Sequence, residues 1–177
     1  VYSTRNLPGS TPVLQFAVDY AKGRAAELNK TIDFSLTTNA TLLKPDVIEF
    51  LATHDFGVTI SIDGPPDLQN KFRVFKNGAG SYDLVAPKIK ALIARHRSRP
   101  IGARVTLTRD TLDVRRIYEH LTQELGFWEV GFAPVTASPQ RPPAFGDAGF
   151  ERVLAEFRRL AVDYRAAPLR GAHHGFS

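Results

Sequence analysis

The chain has 177 residues, 43% of them hydrophobic, which suits one domain with a real core. It has no cysteine, so a disulfide framework, a thiolate nucleophile and a cysteine metal site are all excluded. The balance of 23 basic and 18 acidic residues gives only +5. Its densest basic stretch, Arg95-His96-Arg97-Ser98-Arg99, falls where a helix should end, where cations favour the helix dipole. No aromatic platform accompanies that stretch, so nucleic acid is not an expected partner. No signal peptide and no long apolar run is present, so neither secretion nor a membrane is expected, and a cytoplasmic location is. Two Asn-x-Thr triplets, at Asn29 and Asn39, read as chance without a signal sequence. Position 1 is not Met, which points to a fragment.

Residues 1–11 are polar and turn-rich, with Pro8-Gly9-Ser10, and read as a tail. Thr11-Pro12 is a helix start, and Val13, Phe16, Ala17, Tyr20, Ala21 and Leu28 follow at helical spacing over 12–29. Ile32, Phe34 and Leu36 alternate with polar residues, which is a strand. Lys44-Pro45-Asp46 opens a second helix with Val47, Ile48 and Leu51 inward, and Val58 to Ile62 is a β-branched strand. A long polar connection is expected from Gly64 to Gly80. Ser81 then caps a helix carrying Val85, Ile89, Leu92 and Ile93, with Pro87 forcing a late start or a kink.

Ala103, Val105 and Leu107 make a third strand. Thr111 or Asp113 caps a helix with Val114, Ile117, Tyr118, Leu121 and Leu125 on one face, stopped by Gly126. Phe127 to Val135 is a fourth strand. After a proline-rich loop comes a last helix with Phe150, Val153, Leu154, Phe157, Leu160 and Tyr164 in register, and 168–177 read as frayed. Strict alternation of strand and helix implies an α/β fold with a parallel sheet and right-handed crossovers. About four strands suit part of a (β/α) barrel or a small open sheet. The domain division is a tail at 1–11, a core over 12–165 and a tail at 166–177.

In a parallel α/β sheet, ligands are held at the C-terminal ends of strands. Those ends supply Thr38 and Asn39, Ser61 and Asp63, Thr106 and Thr108, then Pro134 and Thr136. Arg104 lies within the third strand. An unpaired interior arginine is costly, so Arg104 should reach an anion: Asp63 or a ligand carboxylate. The alternative is an outward Arg104 with no role, since one sequence does not fix the face of a strand. Asp63-Gly64-Pro65-Pro66 also reads as a plain turn, and Asn39 as a local turn-former. The histidines show no ligand spacing, so no metal site is expected. Neither a nucleophile elbow nor a glycine-rich phosphate loop is visible.

Four of these segments, in order, resemble radical S-adenosylmethionine enzymes. Thr37-Thr38-Asn39-Ala40-Thr41-Leu42-Leu43 is similar to their TNGTLL segment, and Ser61-Ile62-Asp63-Gly64-Pro65 to their SIDGP strand. Arg73 with Gly78-Ala79-Gly80-Ser81-Tyr82-Asp83 resembles the stretch that follows, and Arg104-Val105-Thr106-Leu107-Thr108 the next strand. The subgroup resembled is that of anaerobic sulfatase-maturating enzymes and related peptide maturases with extra clusters (SPASM-type), over about 13–136.

That resemblance implies a partial TIM-type barrel of the (β/α)6 kind. It implies a [4Fe-4S] cluster held by three cysteines and S-adenosylmethionine reduced to a 5′-deoxyadenosyl radical. The radical abstracts hydrogen from a peptide or protein side chain. By motif match, Thr38, Asn39, Ser61 and Arg104 lie around the cofactor, and Asp63 and Arg73 shape the rim. The cluster cysteines are absent, as is the Gly-Gly-Glu segment; Ala40 replaces a glycine, and Gln69-Asn70 replaces His-Asp. Without cluster ligands, whether this chain is itself an enzyme stays open. The expectation is a catalytically silent part of such an enzyme with an exposed sheet edge, an aggregation site. The alternative is a non-catalytic barrel module that binds a peptide or partner protein.

Overall fold

The computed structural model describes residues 10–108, 112–135, 147–166 and 175–176. The elements run α1 (Ser10–Glu27), β1 (Ser35–Thr38), α2 (Pro45–Thr53), β2 (Gly57–Ser61), α3 (Pro66–Phe72), α4 (Tyr82–Arg95), β3 (Ile101–Leu107), α5 (Val114–Glu119), β4 (Glu129–Pro134), α6 (Asp147–Ala166) and β5 (Gly175–Phe176). The sheet order is β1-β2-β3-β4-β5, every neighbouring pair parallel. Sequential neighbours joined by helices are the arrangement of a (β/α) barrel opened along one edge. Two of the residues expected to fray, Gly175–Phe176, form the short β5 against β4. Thr111 and Thr136 lie outside the described residues, so their expected roles have no structural counterpart.

The strand periodicity sorts side chains onto two unlike faces. Val58, Ile60 and Ile62, then Ala103, Val105 and Leu107, then Val130, are buried. They join Leu51, Val85, Ile89, Leu92, Ile117 and Leu121 from the helices in one cluster. Phe132 lies in the same row as Val105 and meets Phe157 of α6 edge-on, with ring centroids 5.4 Å apart. The strands β2 to β4 therefore turn their apolar side to the helices.

Several local expectations change. The polar connection after β2 folds into α3, and its one wholly buried side chain is Gln69. Pro87 sits in the second turn of an unbroken α4 with an exposed side chain. A proline there gives up one backbone donor, and the freed carbonyl belongs to exposed Asp83. The α5 helix is capped by Asp113, whose Oδ1 accepts the Arg116 N–H at 3.1 Å. It runs into one π-helical turn, His120–Glu124. Gly126, at φ 84°, ends that turn, and Leu121 and Leu125 both stay buried.

The inner face of α1 also differs from the expected one. Val13, Phe16 and Tyr20 are 62%, 73% and 64% exposed, while Val18 is buried and Leu14 is half-buried against the core. This helix is apolar on two sides. It packs on α2 beside β1, which pairs with β2 alone among the described strands. The basic run closing α4 is locally neutralised. Arg95 holds both Glu49 oxygens, pulling that carboxyl below its usual range, and Arg99 pairs with Asp33 at 2.8 Å.

Ile60 lies at the centre of the apolar face and has no exposed surface. Ile60→Ala should cost about 2–5 kcal/mol in urea unfolding, because the cavity sits where neither neighbouring strand can collapse into it. A loss below about 1 kcal/mol would show that this face is not the core.

Candidate functional site

The opposite sheet face carries no buried side chain and no large apolar one. In register across it lie Thr37, Thr59, Gly102 and Glu129; then Ser61, Arg104 and Gly131; then Thr106 and Ala133. These residues are half-buried or exposed. The face is a bed of hydroxyls and small residues that carries one guanidinium, Arg104, and one carboxylate, Glu129. No described helix covers it, since the helices take the other side.

Ser61 and Arg104 are direct register partners on β2 and β3. Their side chains therefore leave the same face one strand spacing apart, roughly 5 Å. Neither has a side-chain hydrogen-bond or ion-pair partner among the described residues. The glycines Gly102 and Gly131 lie one row below Arg104 on the same strand and beside it on β4. They leave the long side chain room to swing over the face. Arg104 is exposed and makes no bond to Asp63, one of its two expected partners.

Asp63 belongs to a different arginine. Arg73 at the end of α3 grips it in two-point contact, Nε to Oδ2 at 2.6 Å and Nη2 to Oδ1 at 3.0 Å. Oδ1 also accepts the Thr106 backbone N–H at 3.0 Å. The Asp63 side chain is 5% exposed and that of Arg73 27%. The carboxylate is thus fully used: it ties the end of β2 to β3 and to the loop beyond α3.

The rest of that loop is fastened by amides. The Asp63 N–H donates to Gln69 Oε1 at 2.8 Å, and Gln69 Nε2 donates to Ser81 Oγ at 3.0 Å. Ser81 makes no capping bond to α4. The cap comes from Asn70, whose Oδ1 accepts the Tyr82 N–H at 2.9 Å. A Cβ on Gly80 would stand 2.2 Å from Asn70 Cγ, so only glycine leaves room for that cap. Gln69, Asn70 and Ser81 are polar residues on a nominal loop, and no sequence pattern marks them as a buried network.

Thr38 and Asn39 are also part of a turn. Thr38 lies in register with Ile60, on the helix side of the sheet, and its Oγ1 accepts the Ala40 N–H at 3.2 Å. Asn39 is exposed beyond the strand, and its Oδ1 accepts both the Thr41 N–H (3.1 Å) and the Thr41 hydroxyl (2.8 Å). The six expected site residues therefore form three groups: Ser61 with Arg104 on the open face, Asp63 with Arg73 in the rim, and Thr38 with Asn39 in the β1 turn. Of the other strand-end positions, Pro134 is exposed and Thr106 and Thr108 are half-buried.

A second polar cluster lies on the helix side. His120 Nδ1 is 3.2 Å from Glu124, and Nε2 is 2.8 Å from the Tyr82 hydroxyl. A carboxylate only accepts, so Nδ1 carries the proton and Nε2 accepts from the phenol. Burial, then the Glu124 and Asp83 carboxylates, push the Tyr82 phenol above its usual range and keep it a donor. The triad locks α4 to the π-turn. Among the described residues no group of His, Asp or Glu could hold a metal ion, and without cysteine the chain does not fit an iron–sulfur cluster.

No protein-family profile matches the chain. It is similar to the cysteine-type anaerobic sulfatase-maturating enzyme of Clostridium novyi, 33% identical over 64 residues, 36% of this chain and 17% of that one. It is also similar to the serine-type enzyme of Bacteroides thetaiotaomicron, 37% identical over 73 residues, 41% of this chain and 16% of that one. The chain thus spans about a sixth of the curated relatives it matches. Among solved structures, native anSMEcpe with bound AdoMet and Kp18Cys peptide superposes with a TM-score of 0.75 at 19% identity, over 92% of this chain and 46% of that one. Streptococcus suis SuiB superposes with a TM-score of 0.56 at 19% identity, over 86% and 33%. These likenesses give the same partial barrel as the strand order, and the curated relatives belong to the group the motifs resemble.

Removing one partner of a buried ion pair strands the other. Arg73→Met should therefore lower stability by about 3 kcal/mol in chemical unfolding. Asp63→Asn combined with Arg73→Met should recover part of that loss, because an amide oxygen can still accept the Thr106 N–H. A single-variant loss under about 1 kcal/mol would mean that the pair does not hold the rim.

Proposed function

We propose that this chain is part of a radical S-adenosylmethionine enzyme that modifies a peptide or protein side chain, and that its open sheet face holds the S-adenosylmethionine. The observation that carries the reading is the Ser61–Arg104 pair. Two neighbouring donors stand on a polar face at the C-terminal half of a parallel sheet, and neither has a side-chain partner among the described residues. Arg104 presents a fork that matches a carboxylate in two-point contact, and Ser61 adds a hydroxyl beside it. Asn39 and Thr38 border the same end from β1, and Asp63 with Arg73 keeps the rim in shape.

S-adenosylmethionine is the source of the hydrogen-abstracting group in such a modification. This chain's part is to bind and orient it. Arg104 and Ser61 fix the charged end, and the hydroxyls of Thr59 and Thr106 give the face a polar floor. The cluster ligands come from elsewhere in the enzyme, since no residue here takes that role. The chain is accordingly a fragment, inactive alone, with residues 12–165 as its barrel part and a cytoplasmic location. The open β1 edge and the exposed Val13, Phe16 and Tyr20 of the neighbouring α1 support a sheet that continues past β1. Similarity to sulfatase-maturating enzymes, and a fold shared with anSMEcpe bound to AdoMet and Kp18Cys peptide, support a peptide substrate.

Isothermal titration of S-adenosylmethionine into the chain tests this reading. Saturable binding is expected, weakened about tenfold or more by Arg104→Ala, the scale of a charge-assisted hydrogen bond. The melting temperature should not move, because Arg104 supports no other side chain. Absence of saturable binding, or equal binding by the variant, would favour a degenerate module.

A further inference from the structure

The β1 turn contains a residue in a costly conformation. Ala40 sits at φ 63°, the left-handed region that L side chains avoid, and is fully buried. A strained residue persists where its surroundings over-determine it. Here five hydrogen bonds do so. Thr38 Oγ1 accepts the Ala40 N–H, and the Leu43 N–H donates to the Ala40 carbonyl at 3.2 Å. Asn39 Oδ1 accepts two donors from Thr41, and Lys88 of α4 donates to the Thr41 carbonyl.

The chemistry of these bonds has a direction. A backbone N–H only donates, so the Asn39 atom facing Thr41 must be its oxygen. The side-chain oxygen is then occupied by the Thr41 N–H and hydroxyl together. What Asn39 has left is its NH2 group, two donors and no acceptor. Thr38 differs: its oxygen accepts the Ala40 N–H alone, so the hydroxyl keeps one lone pair and its proton.

We infer that Thr41 is a positioning residue, which fixes the Asn39 amide so that this side chain turns its NH2 donors to the β1 rim. Such an amide takes an acceptor atom of the ligand, a carboxylate, carbonyl, ring-nitrogen or hydroxyl lone pair. This assignment goes one residue beyond the S-adenosylmethionine reading and rests on it for the ligand, though not for the geometry.

Two measurements on the full chain separate the geometry from the ligand. In 15N-labelled protein, the side-chain NH2 resonance lost in Asn39→Asp identifies the Asn39 amide. Its relaxation should report a rigid amide in the wild type and in Thr41→Ser, and a mobile one in Thr41→Val, which keeps the shape and loses the hydroxyl. An equally rigid amide in Thr41→Val would overturn the role of Thr41. The second measurement is S-adenosylmethionine affinity by calorimetry. Thr41→Val should bind about fivefold more weakly, the worth of one ordinary hydrogen bond, and Thr41→Ser within about twofold of wild type. A Thr41→Ser variant as weak as Thr41→Val would also overturn the proposal. Should the wild type not bind, the functional reading fails, and the relaxation data still decide the positioning.

Discussion

One buried carboxylate sets the geometry of this rim. Asp63 lies where β2 ends and the chain must turn into α3. Burying an ionised carboxylate costs several kcal/mol unless its oxygens are matched. The partners of its oxygens come from two separate stretches, the Arg73 guanidinium at the end of α3 and the Thr106 N–H of β3, while its own N–H donates to Gln69 of α3. Meeting that requirement forces the end of β3 against the end of β2. It also draws the loop after α3 back to the sheet. The loop in turn delivers Asn70 to cap α4 and demands a glycine at 80.

That requirement also divides labour between two arginines. Arg73 is consumed by structure, so its charge is not offered to a ligand. Arg104 is left exposed and unmatched among the described residues, one strand from Ser61. Had Arg104 taken Asp63, the open face would lose its guanidinium and a ligand carboxylate would have no fork to meet. The β1 turn works in the same way at Asn39, where the side-chain oxygen is taken up by Thr41 and the NH2 donors are kept. In both places internal hydrogen bonding decides which polarity remains for binding.

The order of strands and helices was legible in the sequence because the two periodicities differ so plainly. Val58 to Ile62 and Ala103 to Leu107 place every second residue in the core, and Lys44-Pro45-Asp46 opens α2 as expected. The strand-end positions of Ser61, Asp63 and Arg104 were legible for the same reason. Their pairing was not. Period-two alternation puts Arg104 opposite Val105 but does not say which face meets helices, and it says nothing of which anion a cation finds. The α3 helix escaped because it has few apolar residues and owes its place to a buried glutamine. The inner side of α1 escaped because Phe16 and Tyr20 are as apolar as Leu14 and Val18, so composition alone could not rank them. The π-turn has no local signature at all; it follows from keeping both Leu121 and Leu125 inside while His120 meets Tyr82.

The two faces of the sheet depend on different physics. The helix side is a closed apolar core, and its stability comes from area removed from water. The open side is built from Thr37, Thr59, Ser61, Arg104, Thr106 and Glu129 with glycines and an alanine between them, and none of these side chains is fully buried. A face with no apolar debt can stay open without driving collapse or mispairing of its own. It also places binding and folding on separate residues: a change at Arg104 removes a charge from solvent, while one at Arg73 strands a carboxylate in the interior. The edge of β1 is the exception, for among the described residues it leaves polar backbone groups unpaired while α1, packed on α2, leaves an apolar stripe exposed. A preceding strand and helix would satisfy both at once, which is how a barrel resolves an edge that an open sheet leaves unpaired.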